Sequence, residues 1–175
     1  MKRTLYRTCD VRWPFLWVDA GQPDARWHGS GEGPCHYLAT SAKGAWAEVL
    51  RHREIDEVND LLNLELVIWE VEASIPAARP KLPEATMTGD ETTYPSCQRE
   101  ARRLRSAGAT GLVAPSAALK SGEAEIYGVG PGGQTIVGHV TSEVVVIFGQ
   151  PDGLRGMPLA EGHPDPSWLG DVRHF

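Results

Sequence analysis

Apolar and polar positions alternate from Thr4 to Cys9. Leu5, Arg7 and Cys9 fall on one side and Tyr6 and Thr8 on the other, which predicts a strand. Residues 19–34 lose that alternation and are rich in Gly, Pro, Asp and Ser, so they read as loop. His36 to Thr40 is a short strand. Ser41 is then placed to cap a helix from Ala42 to about Arg53, where Ala45 and Val49 share a face and Glu48 borders it. Leu64 to Ala73 is apolar on both faces in its first half, the pattern of an interior strand. Pro76, Pro80 and Pro83 end it and begin an irregular stretch to about Thr93. Pro95 opens a second helix near 96–107, with Cys97, Ala101 and Leu104 inward, Arg99, Arg102, Arg103 and Arg105 outward and solvated, and Gly108 past its end.

Gly111 to Ala114, Glu125 to Val129, Thr135 to Val140 and Glu143 to Phe148 are all strand-like. Prolines and glycines recur from Gln150 to Phe175, which predicts a tail that is mostly coil. About six strands and two helices, without a regular βαβ series, predict an α+β class. The expected architecture is a single domain over residues 1–175 with its core at about 4–150 and a largely coil tail at 151–175.

Composition removes several function classes. The 175 residues carry a net charge of -6, which opposes a nucleic-acid interface or a polybasic membrane patch. Six tryptophans suit a real core or an aromatic-lined pocket. The cysteines, Cys9, Cys35 and Cys97, have neither the pairing for a disulfide framework nor zinc spacing, and a reducing cytoplasm fits them best. Asp10 and Arg12 interrupt any signal-peptide pattern, and Trp13 to Val18 is too short for its apolar core. No apolar run approaches a membrane span.

Three other signals lead nowhere. Gly128 to Gly133 fits G-x-G-x-x-G, but the β-branched Thr135–Val140 follows where a helix should, so a glycine-rich hairpin is the better reading. Ser116 is not in a G-x-S-x-G elbow. His163 and His174 lack spaced partners for a metal, and no metal is expected.

What remains is an ordered series: Arg26-Trp27-His28, Tyr37-Leu38-Ala39-Thr40-Ser41, then Ala45, Glu48, Val49, Leu50 and His52, and finally Gly108 to Ser116, preceded by Leu5-Tyr6-Arg7. In order and spacing this resembles the RES domain, over about residues 4–150. The resemblance implies an ADP-ribosyltransferase-like fold of short, mostly antiparallel strands in two packed sheets with a few helices. It also implies a toxin that destroys NAD+ at its nicotinamide–ribose bond, by hydrolysis or by phosphorolysis with phosphate as co-substrate. The implied partner is an antitoxin with an Xre-type helix-turn-helix; a homodimer is left open. After the Arg-Trp pair, Gly29 to Gly33 depart from the family's usual asparagine-plus-glycine stretch.

The residue types suit that chemistry. Arginine forks match a pyrophosphate, so Arg26 and, second, Arg7 are candidates for NAD+ binding. A carboxylate near the ribose stabilises an oxocarbenium-like transition state, the role given to Glu48. Tyr37 offers a face for nicotinamide and a hydroxyl, and Ser116 a hydrogen bond to the nicotinamide end or its ribose. His28 and His52 are nearby and could assist proton transfer, although a structural role is the favoured reading of both.

Each has a plainer alternative. The less favoured readings make Arg26 a loop arginine, Tyr37 a core aromatic, Glu48 a helix surface residue paired with His52, Ser116 a turn or helix-cap serine and Arg7 an edge-strand residue. Two competing functions remain: a mono-ADP-ribosyltransferase acting on protein, and an inactive domain kept for binding a partner.

Overall fold

The computed structural model describes residues 3–16, 21–73, 78–130, 133–150 and 154–175. Trp17, Val18, Pro76, Pro131 and Gly132, which entered the sequence reading, lie outside these. Among the described residues eight strands form: β1 (Arg3–Asp10), β2 (Cys35–Ala39), β3 (Leu66–Ala73), β4 (Gly111–Pro115), β5 (Ala124–Gly130), β6 (Gly133–Val140), β7 (Glu143–Phe148) and β8 (Arg155–Gly162). Four α-helices among the described residues join them: α1 (Ala42–His52), α2 (Val58–Leu62), α3 (Glu84–Thr88) and α4 (Tyr94–Ser106). The class is α+β. The strands divide unequally between two sheets, a six-stranded one in the order β4-β7-β2-β1-β3-β8 and the β5–β6 hairpin.

Every strand pair in the large sheet is antiparallel. Alternation along the strands sends successive side chains to opposite faces. On β7, Val144 and Val146 pack toward α4 with Leu112 and Cys97, whereas Val145 and Ile147 join Leu5, Leu38 and Val71. Helix α1 covers the other half of the helical face through Trp46, Ala47 and Leu50, against Leu66 and Ile68. Helices therefore lie on one face, in two separate apolar clusters.

Between those clusters the sheet is poorly closed. β1 pairs with β3 over eight positions but with β2 at one register pair, Tyr6 with Ala39. Beyond that pair the strands part, and residues on both sides of the gap are left to line a cavity. β1 is an interior strand, so the edge-strand reading of Arg7 fails.

Helix α1 begins as its sequence predicts: the Ser41 side chain accepts from the Gly44 amide at 3.0 Å. Its inward face includes the expected Ala45 and is wider than the sequence suggests. Trp46, Ala47 and Leu50 enter the core, while Val49 is half-buried. Helix α4 buries Cys97, Ala101 and Leu104, and Gly108 follows with a positive φ of 86°, the left-handed turn that glycine allows. Its arginines are not simply solvated. Arg102 pairs with Glu32 at 2.7 Å, and Arg105 donates to the Glu32 carbonyl at 2.8 Å while lying over the Phe148 ring. They tie the loop before β2 to the helix.

The coil expected for the tail is corrected in part. β8 pairs with β3 from Leu66 to Glu72 and supplies the sheet's last strand. Its alternation is masked because Met157 and Leu159 are exposed and Pro158 sits at a register shift. A 3₁₀ helix, Pro166–Asp171, then packs on α1 and α2. β5 and β6 pair antiparallel on either side of the glycine-rich segment, and the β-branched Thr135–Val140 is strand as predicted.

Candidate functional site

The cavity between the two clusters has a volume of about 390 Å³, within the ordinary range for a small-molecule site. β1 and β2 supply Arg7 and Tyr37, and α1 supplies Ala45, Glu48, Val49, Arg51 and His52. The 22–28 loop supplies Arg26, Trp27 and His28, and the start of α4 supplies Tyr94. Ala45, Glu48, Val49 and His52 lie at i, i+3, i+4 and i+7, one helical stripe. Ala45 and Val49 pack on the core and, with Glu48 and His52 beside them, also form a wall of the cavity.

Glu48 sits in this wall with a half-buried side chain. Its Oε1 accepts a hydrogen bond from Ser116 Oγ at 3.1 Å, and its Oε2 is 3.8 Å from His52 Nε2. Ser116 is itself buried, and its Oγ accepts from the Ala118 and Leu119 amides, both at 3.2 Å. With two N–H groups on its lone pairs, the hydroxyl proton is directed to Glu48. Ser116 is thus both the turn serine of the plainer reading and the group that fixes the carboxylate. Pro115 and Ala117, but not Ser116, line the cavity.

Tyr37 is anchored by its hydroxyl. That oxygen accepts from the Trp27 amide at 3.1 Å and lies 2.9 Å from His28 Nδ1. His28 Nε2 is 2.9 Å from the Pro23 carbonyl, which only accepts, so Nε2 carries the proton. Nδ1 is then the acceptor and Tyr37 the donor. Burial lowers the His28 pKa, in keeping with this neutral tautomer, and burial raises the Tyr37 pKa. The Tyr37 hydroxyl is committed to protein; its ring remains on the cavity wall.

The two arginines named from the sequence play different parts. Arg26 is 7% exposed and donates to Thr93 Oγ1 at 3.0 Å and the Gly89 carbonyl at 2.6 Å, with its guanidinium 4.7 Å from the Tyr94 ring centre. Most of its donors organise the 86–94 wall. Arg7 is the reverse: its Nη1 is buried and has no hydrogen-bond partner, and burial lowers its pKa. Trp27 Nε1 is a second buried donor without a partner among the lining residues.

Arg51 was missed by the sequence reading. It is 3% exposed, bonds the Ala117 carbonyl, and donates to the Gly89 carbonyl at 3.2 Å, the same oxygen that Arg26 uses. Burial is the first cause of its lowered pKa and Arg26 the second. Its only sequence signal is its place one turn beyond Ala47 on a face that otherwise buries apolar residues. Three guanidiniums thus line one cavity of a protein whose net charge is -6. Among the described residues no cluster of three His, Cys, Asp or Glu could hold a metal.

Behind Arg7 lies His36, 1% exposed, with neither ring nitrogen hydrogen-bonded. Burial first, and the Arg7 charge second, push its pKa down to about 4. The unfolded chain takes up this proton near pH 6.5, the folded one only near pH 4, so stability falls as pH drops between those values. The expected loss from this residue at pH 5 is about 2 kcal/mol relative to pH 7.5. Urea unfolding of wild type and His36→Gln at both pH values checks it; identical pH slopes would refute the assignment.

Comparison with known proteins comes down to a family and a fold. The RES domain model matches residues 4–137. The structure is similar to a chain in the crystal structure of the M. tuberculosis MbcT-MbcA toxin-antitoxin complex, with a TM-score of 0.60 and 16% identity, covering 97% of this chain and 88% of that one. That likeness is one of fold. No curated protein matches the sequence.

Proposed function

The chain belongs to the RES domain family, and from that premise we propose that it cleaves the nicotinamide–ribose bond of NAD+ as the toxin of a toxin–antitoxin pair. The observation that carries this reading is the Glu48 carboxylate, fixed by Ser116 on the wall of a cavity that three arginines line. In the reaction, the C1′–N1 bond breaks and its electron pair leaves with nicotinamide, which becomes neutral. The ribose left behind is oxocarbenium-like, and Glu48 stabilises that charge across the cavity. Oε1 is held by Ser116, so Oε2 is the oxygen offered to the ribose hydroxyls. Water or phosphate then bonds to C1′. Water gives its proton to solvent and yields ADP-ribose; phosphate yields the ribosyl phosphate.

Arg7 receives the pyrophosphate, since its unpartnered Nη1 is the donor most in need of an anion. Arg26 holds the 86–94 wall and adds its charge. The Tyr37 ring packs beside nicotinamide, positioned by the His28 and Trp27 contacts to its hydroxyl. The reaction is assigned to the cytoplasm, where the three free cysteines stay reduced. A complex with an antitoxin is proposed by analogy with the structural neighbour, which comes from a toxin-antitoxin complex; an Xre-type helix-turn-helix is the family expectation for it.

Incubating the purified protein with NAD+ labelled in its adenylate half, with and without phosphate, tests the activity. Release of free nicotinamide with labelled ADP-ribose or its phosphate is expected. Label retained on protein would instead mark a transferase, and intact NAD+ under all conditions would sink the reading.

A further inference from the structure

The segment 163–175 lies beyond the residues matched by the family model, yet it returns to the cavity. It is fastened along the stretch that follows Ser116. The Asp171 carbonyl accepts from the Lys120 amide at 2.9 Å, and the Arg173 amide donates to the Ala118 carbonyl at 2.7 Å. Val172 bridges Leu119, and Lys43 pairs with Asp171 at 2.6 Å. This fixed path sets Phe175 against Arg51 and His52, which line the cavity. The Arg51 guanidinium lies 4.1 Å from the centre of its ring, and the His52 ring 6.3 Å away at 57°.

Phe175 remains 53% exposed although a guanidinium covers one face. His52 is also exposed, and both Arg51 and His52 line the cavity. Two open aromatic rings therefore form a corner at the rim, over a buried cation. His52 stands four residues from Glu48 on α1, about 6 Å along the axis. The corner thus borders the same cavity wall that carries Glu48.

Resting on the NAD+ reading above, we propose that Phe175 and His52 are the adenine subsite, a stacking platform supplied by the 163–175 segment. A flat purine is the chemistry it suits: it needs aromatic faces and no fixed hydrogen-bond pattern. Phe175 is a specificity residue. It selects the dinucleotide over a mononucleotide and takes no part in bond cleavage.

The test compares Phe175→Ala and Phe175→Trp with wild type on NAD+ and on nicotinamide mononucleotide, which has the same scissile bond and no adenine. Phe175→Ala is expected to raise the KM for NAD+ about 10-fold, with kcat within about twofold and mononucleotide cleavage unchanged. It should also weaken competitive inhibition by AMP by a similar factor, while Phe175→Trp retains wild-type behaviour. Equal loss on both substrates, with unchanged AMP inhibition, would overturn the proposal and leave Phe175 as a prop for Arg51. Unaltered KM for NAD+ would overturn it as well. If wild type cleaves neither substrate, the underlying NAD+ reading fails and the subsite fails with it, a pattern distinct from an active wild type with an unselective variant.

Discussion

Replacing Glu48 by Gln is expected to lower NAD+ cleavage by about 10²–10³-fold with the fold intact. The substitution keeps the shape of the side chain and an oxygen for the Ser116 hydroxyl, but removes the charge. A charge matters here because the transition state carries a positive ribose and the cavity otherwise presents Arg7, Arg26 and Arg51. Without Glu48 those three cations oppose the developing charge. The Glu48 side chain is 28% exposed, so Tm should stay within about 2 °C of wild type. Ser116→Ala should give a smaller loss in the same direction, because it frees Oε1 without removing the carboxylate. Nicotinamide release together with thermal denaturation checks both. Full turnover by Glu48→Gln would move the chemistry to another residue.

The elements that place this residue were legible in the sequence. Ser41 and the run from Ala42 to Arg53 mark α1 to within a residue, because a capping hydroxyl and helical spacing are local signals. Interior β3 was legible for the same reason: Leu66, Val67 and Ile68 are apolar on both faces and all buried. The division of α1 between core and cavity was not. Ala45 and Val49 pack on the core as their hydrophobicity suggests, but β1 and β2 part beside them, so the same stripe also borders the cavity. The parting of two strands is a tertiary event with no local signature. β8 was hidden because its partner, β3, lies some ninety residues earlier and its own side chains are mostly exposed. The committed hydroxyl of Tyr37 depends on His28 and the Trp27 amide meeting it across a loop, which residue type does not reveal.

The ranking of the two arginines changes for an energetic reason. Residue types alone favour Arg26, but its donors meet Thr93, Gly89 and the Tyr94 ring, so it is stable where it stands. Arg7 has a buried donor with no acceptor and a depressed pKa, the mark of a cation held at a cost to the fold. Arg7→Met is therefore expected to raise Tm by about 2 °C or more, since a buried unpaired charge gives way to an apolar chain of similar reach. The same change should raise the KM for NAD+ about 10- to 100-fold, the loss of charge-assisted hydrogen bonds to a phosphate. Arg7→Lys should recover part of the affinity, because it restores charge without the fork. Nicotinamide riboside, which has the scissile bond and no phosphate, should be cleaved equally by wild type and Arg7→Met. Opposite movement of stability and affinity is the signature of a residue kept for a ligand. A fall of several degrees in Tm, or an unchanged KM for NAD+, would make Arg7 a structural residue and move the pyrophosphate toward Arg26 and Arg51.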